Sequence, residues 1–403
     1  MLTKLVSRSF AGVLLLSSTL SFLTSLSFLK FNHCRLNNFT SPDNYVHACY
    51  TDIPALFSER GLDTNTFPYS SATNSFEYPP VIGLGNWLIS FITPSSDPHS
   101  NWLISFITPS SDPHRFFFDI NAVLIIALFF ISAFIVRKIA PKYQYIFPLL
   151  FINWDIWAVV TTLAAIYYFD KKKYEQSGIW LGISIATKFF PIVLLLPIAI
   201  IFYRSNQLKQ LLRYLLTTFS FWAVINIPIA IIYFDGWWRF FKLNLERGED
   251  FGSIWYGLSL LNIKVSNLDL LYPLNTLILF ALLAYYLLKL PNLPNLASVA
   301  LFAVVIFTTI SKVYSPQYVL WLTPLAVIAL RKDKQLIAFW FWQATEIIYH
   351  LAIWQYLALF SDAQFGLPAG GYAIATLLRV LGVSIFTYRL MRDLSAPSTG
   401  RKD

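Results

Sequence analysis

Ionisable side chains are conspicuous in this sequence where they interrupt apolar runs, and the first of them is Asp52. It lies in the string HACYTDIP at residues 47–54. A carboxylate that apolar neighbours partly enclose holds its proton more tightly than a free one, and it can then serve as a general base near neutral pH. Asp52 is therefore the candidate catalytic residue, although a helix cap or a loop ion pair would also use a carboxylate here.

Two later apolar segments are broken by polar side chains. Asp155 ends the string NWD at 153–155, where it could cap the helix that follows or contact a substrate. Lys188 opens the string KFFP at 188–191. A lysine at such a break could bind a phosphate as a point charge, or its ammonium group could reach for the membrane surface.

The second half of the chain adds cations and a carboxylate–histidine pair. Lys312 and Tyr318 belong to the turn SKVYSPQY at 311–318. Glu346 and His350 stand four residues apart on one helical face, where they could pair with each other or face a substrate. Around Asp52 we therefore predict these substrate-binding residues: Lys188, Arg247, Lys312, Tyr318, Asp155, Glu346 and His350.

Other site chemistries lack their sequence patterns. The chain has no HxxxH spacing, no cluster of aspartates and no Cys/His spacing, so we predict no metal site. P-loop, GxGxxG and GxSxG strings are also missing, so nucleotide handling and serine hydrolysis are not indicated, and we expect no cofactor. The net charge of +9 is spread over short groups between apolar runs, which excludes a nucleic-acid partner.

The elements that position these residues are apolar helices. Hydrophobic residues make up 56% of the chain and charged residues only 13%, and several runs reach the roughly 20 residues that span a bilayer. We predict an all-α polytopic membrane protein that forms one integral domain over residues 1–403. Residues 1–29 begin with Lys4 and Arg8, but their apolar run is longer than a signal-peptide core, so we expect a retained first transmembrane helix.

Basic groups give the orientation, because cytoplasmic loops are enriched in lysine and arginine. If every group is cytoplasmic, the intervals between them hold even numbers of passes, which gives about twelve passes with both termini inside. The groups are Lys4/Arg8, Arg137/Lys138/Lys142, Lys171/Lys172/Lys173, Arg204/Lys209/Arg213, Lys289, Arg331/Lys332/Lys334 and Arg389/Arg392/Arg401/Lys402.

Two of these intervals are too short for two full spans. Each is broken near its middle, at 153–155 and at 188–191, so we predict two short helices that meet at each break. Such broken hairpins need shielding by protein or a water-filled cavity. The competing interpretation is one full span in each interval and a violated charge rule.

The same topology places the polar breaks and a long first loop, residues 30–115, on the extracytoplasmic side. If this loop is extracytoplasmic, its two cysteines, Cys34 and Cys49, could form a disulfide in that oxidising compartment. Free or buried thiols are the alternative. Residues 86–100 and 101–115 match at fourteen of fifteen positions and form a direct tandem copy. We expect one copy to be packed and the other to be a surface excursion.

One carboxylate surrounded by cations suits a substrate with a phosphate and an acceptor hydroxyl. The cations would hold the phosphate while the carboxylate takes the hydroxyl proton. A transporter or flippase of an anionic lipid-linked substrate would need similar charges, and we expect inverted repeats in that case. A structural scaffold would leave Lys312 and the polar breaks unexplained.

An ordered set of strings extends over roughly residues 44–392: YTDIP (50–54), FPY (67–69), EYPP (77–80), NWD (153–155), KFFP (188–191), NIP (226–228), GSIWY (252–256), KVYSPQY (312–318) and WQATE (342–346). In order and spacing the set resembles the polyprenyl-phosphate-dependent mannosyltransferases of glycosyltransferase family 87. It looks most similar to the actinobacterial membrane proteins of that family.

This resemblance implies a C-type glycosyltransferase fold in the cell membrane and inverting hexose transfer without a nucleotide sugar. The donor would be a polyprenyl-phosphate hexose, usually mannose, and the acceptor an extracytoplasmic glycolipid or glycan. Asp52 matches the family's base, and Lys312 would lie near the donor phosphate. One departure is that characterised members tend to carry histidines after the Ser-Pro pair, where this chain has Gln317 and Tyr318.

Overall fold

Helices are the only regular secondary structure in the computed structural model over the residues it describes, 2–94, 112–143 and 151–396. The α-helices in those ranges are α1 Leu2–Leu36, α2 Asp43–Val46, α3 Asp52–Glu59, α4 Pro80–Ser90, α5 Pro113–Ile139, α6 Asp155–Asp170, α7 Tyr174–Thr187, α8 Leu195–Arg204, α9 Leu208–Ile232, α10 Phe234–Glu246, α11 Ile254–Leu260, α12 Leu268–Lys289, α13 Leu296–Thr309, α14 Val319–Ala329, α15 Leu336–Phe360 and α16 Ala369–Ser395. Short 3₁₀ helices lie at Leu62–Thr64, Pro141–Tyr143, Phe190–Leu194, Pro316–Tyr318 and Asp333–Gln335.

Six helical segments in the described ranges are long and apolar enough to cross a membrane. They are Gly12–Leu36, Pro113–Ile139, Leu208–Ile232, Leu268–Lys289, Asp333–Phe360 and Ala369–Ser395. Their outward faces carry many exposed large apolar side chains, which water would not favour and lipid would. The chain is therefore a helical, membrane-embedded protein, as its composition predicts.

The predicted break at Lys188 separates two short helices. Helix α7 ends at Thr187, Lys188 is extended, and a 3₁₀ turn with Pro191 in its first turn leads into α8. Proline at that position restarts a helix but cannot continue the preceding one. The predicted break between two short helices is confirmed. For the other hairpin, α6 follows the break as expected, and residues 144–150 before it lie outside the described residues.

Some basic side chains join helix ends that are distant in the sequence. Lys142 forms an ion pair with Asp333 at 2.6 Å, and Arg204 donates to the Leu290 carbonyl oxygen at 2.7 Å. These contacts join the ends of helices that are distant in sequence. Arg204 ends α8, and the break at Lys188 lies before the other end of that helix, so the two are separated by the length of the helix.

The first loop is cross-linked and packed. Cys34 and Cys49 form a disulfide. The first tandem copy begins in α4, where Asn86 is fully buried and the Trp87 indole donates to the Asn65 carbonyl oxygen at 2.9 Å. Residues 95–111, which hold the end of that copy and most of the second, lie outside the described residues. The prediction that one copy forms a surface excursion falls on those residues.

Candidate active site

A polar cavity of about 440 Å³ lies at the end of the bundle that carries the breaks. Its wall is built from the first loop, the ends of α6 and α7, helix α10, the turn before α14 and the last turns of α15. The residues of this wall are Tyr45, Tyr50, Asp52, Leu56, Glu59, Arg60, Glu77, Tyr78, Ile152, Lys188, Phe240, Leu243, Asn244, Arg247, Phe251, Ser315, Pro316, Gln317, Tyr318, Ile353, Trp354 and Leu357. Four of the eight predicted site residues meet here: Asp52, Lys188, Arg247 and Tyr318.

Asp52 is held in the wall by its own backbone. The Thr51 side chain caps α3 by accepting from the Ile53 N–H at 3.2 Å, and it donates to the Ile152 carbonyl oxygen at 3.1 Å. The Asp52 N–H donates to the same carbonyl oxygen at 2.8 Å. These bonds fasten the first loop to the segment that leads into α6, so the carboxylate faces the cavity from a fixed position.

The Asp52 carboxylate accepts its side-chain hydrogen bonds from neutral hydroxyl groups. The Tyr78 hydroxyl donates to its Oδ2 at 3.1 Å, and the Asn153 amide in turn donates to the Tyr78 oxygen at 3.2 Å. Burial in this loop, outside the spanning helices, raises the pKa of Asp52 to about 6. Hydrogen bonds from Tyr50 and Tyr78 and the charge of Lys188 oppose that rise in pKa. The carboxylate is thus poised to exchange a proton near neutral pH.

Lys188 lies beside Asp52 and forms an ion pair with a second, buried carboxylate, that of Asp155. Its Nζ lies 2.7 Å from Asp155 Oδ1, and the Trp321 indole donates to the other Asp155 oxygen at 2.8 Å. The same Nζ lies 4.3 Å from the centre of the Tyr78 ring. Asp155 is therefore a support for Lys188, and it is not exposed to the cavity as a substrate contact. Asp155 is the first residue of α6 and Trp154 is its N-cap, and the Asp155 oxygens accept from Lys188 and Trp321 instead of capping the helix.

An aromatic stack keeps this support in place. The Trp321 ring lies between Phe190 at 4.1 Å and Tyr318 at 3.7 Å, measured between ring centres. Phe190 belongs to the proline-containing turn after the Lys188 break, and Tyr318 belongs to the proline-containing turn before α14. Stacked rings of this kind hold a fixed geometry with little loss of side-chain entropy on ligand binding.

Two arginines bring further positive charge to the wall. Arg247 follows α10 and pairs with Asp250 at 3.4 Å while its guanidinium remains partly exposed. Arg60 follows α3 and forms an ion pair with Glu77, and its buried Nε has no hydrogen-bond partner among the described residues. Sequence reasoning missed Arg60, because a loop arginine without a motif has no signal of its own.

Lys312 does not belong to the cavity, and the prediction that it converges there with Asp52 and Lys188 is wrong. It pairs with Asp269 of α12, and its Nζ donates to the Leu245 carbonyl oxygen at 3.4 Å. Its side chain is 7% exposed, whereas that of Asp269 is 89% exposed. Lys312 thus fastens the turn whose later residues line the cavity.

Glu346 is also withdrawn from the cavity. It pairs with the fully buried Arg379 at 2.8 Å and accepts from the Trp342 indole at 3.0 Å. Arg379 donates onward to the carbonyl oxygens of Tyr314 and Ser315, at 2.6 and 3.2 Å. Through these hydrogen bonds the Glu346–Arg379 pair fixes the turn at 314–315. The sequence did not indicate Arg379, since it lies within an ordinary apolar helix.

His350 faces another part of the surface. It does not pair with Glu346, and its buried Nε2 has no partner among the described residues. It lines a separate groove of about 290 Å³ together with Lys30 and Trp354. Trp354 also lines the polar cavity, so its ring forms a wall between the two.

A glycine joins two of the turns around the cavity. Gly252 has a φ of +77°, and a side-chain carbon there would lie 2.0 Å from the Tyr314 carbonyl oxygen. Next to it the Asp250 N–H donates to the Lys312 carbonyl oxygen at 2.9 Å. Only glycine permits this conformation and approach, which explains its place in the string GSIWY.

Models of known protein families give no match when scanned against the chain. A search among curated proteins also finds no match to it. Its function must therefore be inferred from the cavity and from the motif resemblance.

Proposed function

We propose that the chain is a membrane hexosyltransferase that moves a hexose, in the first instance mannose, from a polyprenyl-phosphate donor to a glycolipid or glycan acceptor. The observation that carries the proposal is Asp52: an enclosed carboxylate with neutral hydroxyl neighbours that faces a polar cavity beside Lys188. The ordered motifs of glycosyltransferase family 87 support the same reaction class. The proposed reaction uses no metal or cofactor.

In this mechanism Asp52 accepts the proton of the acceptor hydroxyl as the hydroxyl oxygen attacks the anomeric carbon. A new C–O bond forms while the bond from that carbon to the phosphate oxygen breaks. The lipid phosphate leaves with the electron pair, and Lys188 and Arg247 stabilise its charge. Attack from the face opposite the phosphate inverts the anomeric configuration. A positioned base of this kind contributes a factor of about 10²–10⁴ in rate.

The donor phosphate is assigned to the side of the cavity that carries Lys188, Arg247 and Tyr318. Lysine and arginine bind phosphate directly, and a tyrosine hydroxyl can donate to its oxygens. Arg247 retains N–H groups beyond its single contact with Asp250, and Tyr318 takes the position after the Ser-Pro pair. These groups substitute for the histidines that the resemblance leads one to expect.

The proposed arrangement in the cell membrane has about twelve passes, with both termini cytoplasmic and the polar cavity extracytoplasmic, in a C-type glycosyltransferase fold. The basic groups of the sequence support this orientation, because cytoplasmic loops are enriched in lysine and arginine, and Arg204 lies at the end of α8 remote from the Lys188 break. Besides the six long spans, three shorter apolar helical segments could complete further passes: Phe190–Arg204, Leu296–Thr309 and Pro316–Ala329. A further short apolar helix, Pro80–Ser90, belongs to the first extracytoplasmic loop in this arrangement.

A transporter or flippase is the alternative class, and it predicts a path that reaches both faces of the membrane. The residues that line the cavity come from helix ends and loops at one end of the bundle, which favours an enzyme. A fluorescent polyprenyl-phosphate in proteoliposomes distinguishes the two classes. Movement of the lipid between leaflets without sugar transfer would replace the enzyme proposal with the transporter.

The direct test is a transfer assay with the purified protein in lipid nanodiscs. Radiolabelled polyprenyl-phosphate-mannose is supplied with a panel of mannosyl glycolipids, and labelled product is counted. We expect Asp52→Asn to lower the transfer rate by about 10²–10⁴. Glu59→Gln is the matched control, because Glu59 ends the same short helix and lines the same cavity. Full activity in Asp52→Asn would refute the assignment of the base.

A further inference from the structure

Three side chains that commonly bind metal ions meet at the end of α1, outside the polar cavity. His33 Nε2 lies 2.9 Å from Asp43 Oδ2, and His47 Nδ1 lies 3.0 Å from Asp43 Oδ1. One ligand atom from each of the three side chains lies within 4.8 Å of the other two. The two histidines are far apart in sequence and match no metal-binding spacing, so this group could not be predicted from sequence patterns.

Covalent structure explains why these side chains meet. His33 precedes Cys34, and His47 lies two residues before Cys49, to which Cys34 is bonded. Asp43 begins α2, and His47 follows the end of the same helix one turn later. The disulfide therefore closes the loop at the point where the two histidines must approach each other, and the short helix adds the carboxylate.

Backbone contacts keep this loop in place without help from the three side chains. The Phe39 N–H donates to the Cys34 carbonyl oxygen at 2.8 Å, and the Cys49 N–H donates to the Asn44 carbonyl oxygen at 2.9 Å. The Asn44 amide donates to the Phe39 carbonyl oxygen at 3.0 Å. Asn44 is buried while the three potential ligands are open to solvent, so an ion would meet a preformed and accessible set of atoms.

We propose that His33, Asp43 and His47 form a binding site for a divalent transition-metal ion of the zinc class. Two imidazole nitrogens with one carboxylate suit Zn²⁺, Ni²⁺ or Cu²⁺, whereas Ca²⁺ and Mg²⁺ require oxygen ligands. Ligand bonds of about 2.0–2.2 Å in tetrahedral geometry place ligand atoms about 3.3–3.6 Å apart. Each of the three side chains offers an atom within 4.8 Å of the other two, so small side-chain movements would complete such a set. The side chains are 39%, 36% and 46% exposed, which leaves the fourth position to water or another ligand.

The site also connects to the polar cavity through α2. Tyr45 lies between Asp43 and His47 in the sequence, and it lines the cavity, where its ring is 5.3 Å from that of Tyr50. An ion bound to the two flanking residues holds α2 in one position. Metal binding therefore stabilises the wall next to Asp52, and this consequence is independent of which reaction the cavity performs.

Zinc binding to the purified full chain tests the site, with an affinity tag that contains no histidine. The protein is stripped with a chelator and titrated with Zn²⁺ against a chromophoric zinc indicator, and thermal unfolding is recorded with and without the ion. We expect one saturable Zn²⁺ per chain and a higher unfolding temperature in its presence. Calcium should neither bind nor compete.

Variants separate this site from adventitious binding. His33→Gln and His47→Gln should each weaken zinc binding at least tenfold, whereas His114→Gln, which replaces a histidine in the first turn of α5, should leave it unchanged. If either variant fails to fold, Asp43→Asn with an intact disulfide tests the same site and should weaken binding to a similar extent. Absence of saturable binding to the wild type, or equal affinity in these ligand variants, would show a plain hydrogen-bonded cluster and overturn the proposal.

Discussion

Asp52 and Glu346 are both enclosed carboxylates, but their surroundings differ in one decisive respect. Asp52 accepts hydrogen bonds from tyrosine hydroxyls and opens onto a cavity. Glu346 is fixed by the guanidinium of Arg379 and by the Trp342 indole. A carboxylate paired with a buried cation is committed to structure, whereas one held by neutral donors keeps the capacity to take a proton.

The two enclosed lysines differ in the same way. Lys188 makes one close ion pair, with Asp155, and lines the cavity. Lys312 is turned away from the cavity toward Asp269 and a backbone carbonyl oxygen. In the proposed reaction these differences favour Asp52 and Lys188 as the residues that contact substrate, and Glu346 and Lys312 as part of the framework that positions them.

The largest expected effect on stability comes from breaking the ion pair between Glu346 and Arg379. Arg379→Met leaves Glu346 buried without its cation, which costs about 3–5 kcal/mol in the free energy of unfolding. It also frees the turn at 314–315 that Arg379 holds by two hydrogen bonds. Thermal unfolding in detergent should show a large fall in the midpoint temperature. A midpoint equal to that of the wild type would mean that the pair is not structural.

The two lysines should separate in a kinetic comparison. Lys188→Gln removes a charge next to the leaving phosphate and should lower kcat/KM by about 10²–10³, as loss of one electrostatic donor does. Lys312→Gln loses an ion pair with an exposed partner, so its kcat/KM should fall less than about tenfold. The transfer assay at matched protein folding measures both. A larger loss in Lys312→Gln would reverse the assignment.

A smaller expected effect concerns the stability of the fold and the protonation of Asp52. Because the pKa of Asp52 rises from 3.8 to about 6 on folding, the folded protein binds this proton more tightly than the unfolded chain does. The contribution of Asp52 to stability therefore falls as pH rises from about 4 to about 6. Asp52→Asn removes that penalty, so its midpoint temperature relative to wild type should be equal or higher at pH 7.5, and the advantage should vanish at pH 4. A less stable variant at pH 7.5 would contradict this.

Local sequence was sufficient for the parts of the site that lie at breaks. Asp52 and Lys188 interrupt apolar runs, and an interruption is visible without knowing the partner. The helix break at Lys188 and the membrane-embedded helices follow from proline, charge and run length, which are also local properties.

The sequence did not show which residue each buried charge pairs with, and this explains the wrong predictions for Lys312 and Glu346. An apolar flank showed that Lys312 is enclosed, but Asp269 lies 43 residues away and only the tertiary structure brings them together. Arg379 sits in a regular apolar helix where nothing marks it as the cation for Glu346. Ion pairs between distant helices depend on packing geometry, so the spacing of four between Glu346 and His350 misled the prediction.

The pH dependence of kcat/KM for the wild type tests the central claim most directly, since only the ionised form of Asp52 can accept the acceptor proton. The pKa of about 6 predicts that transfer rises tenfold per pH unit below about pH 6 and reaches a plateau above it. The measurement needs the nanodisc assay from pH 4.5 to 8.5 with a stability check at each point. A rate that is constant across this range, or that falls as pH rises through 6, would contradict Asp52 as the general base.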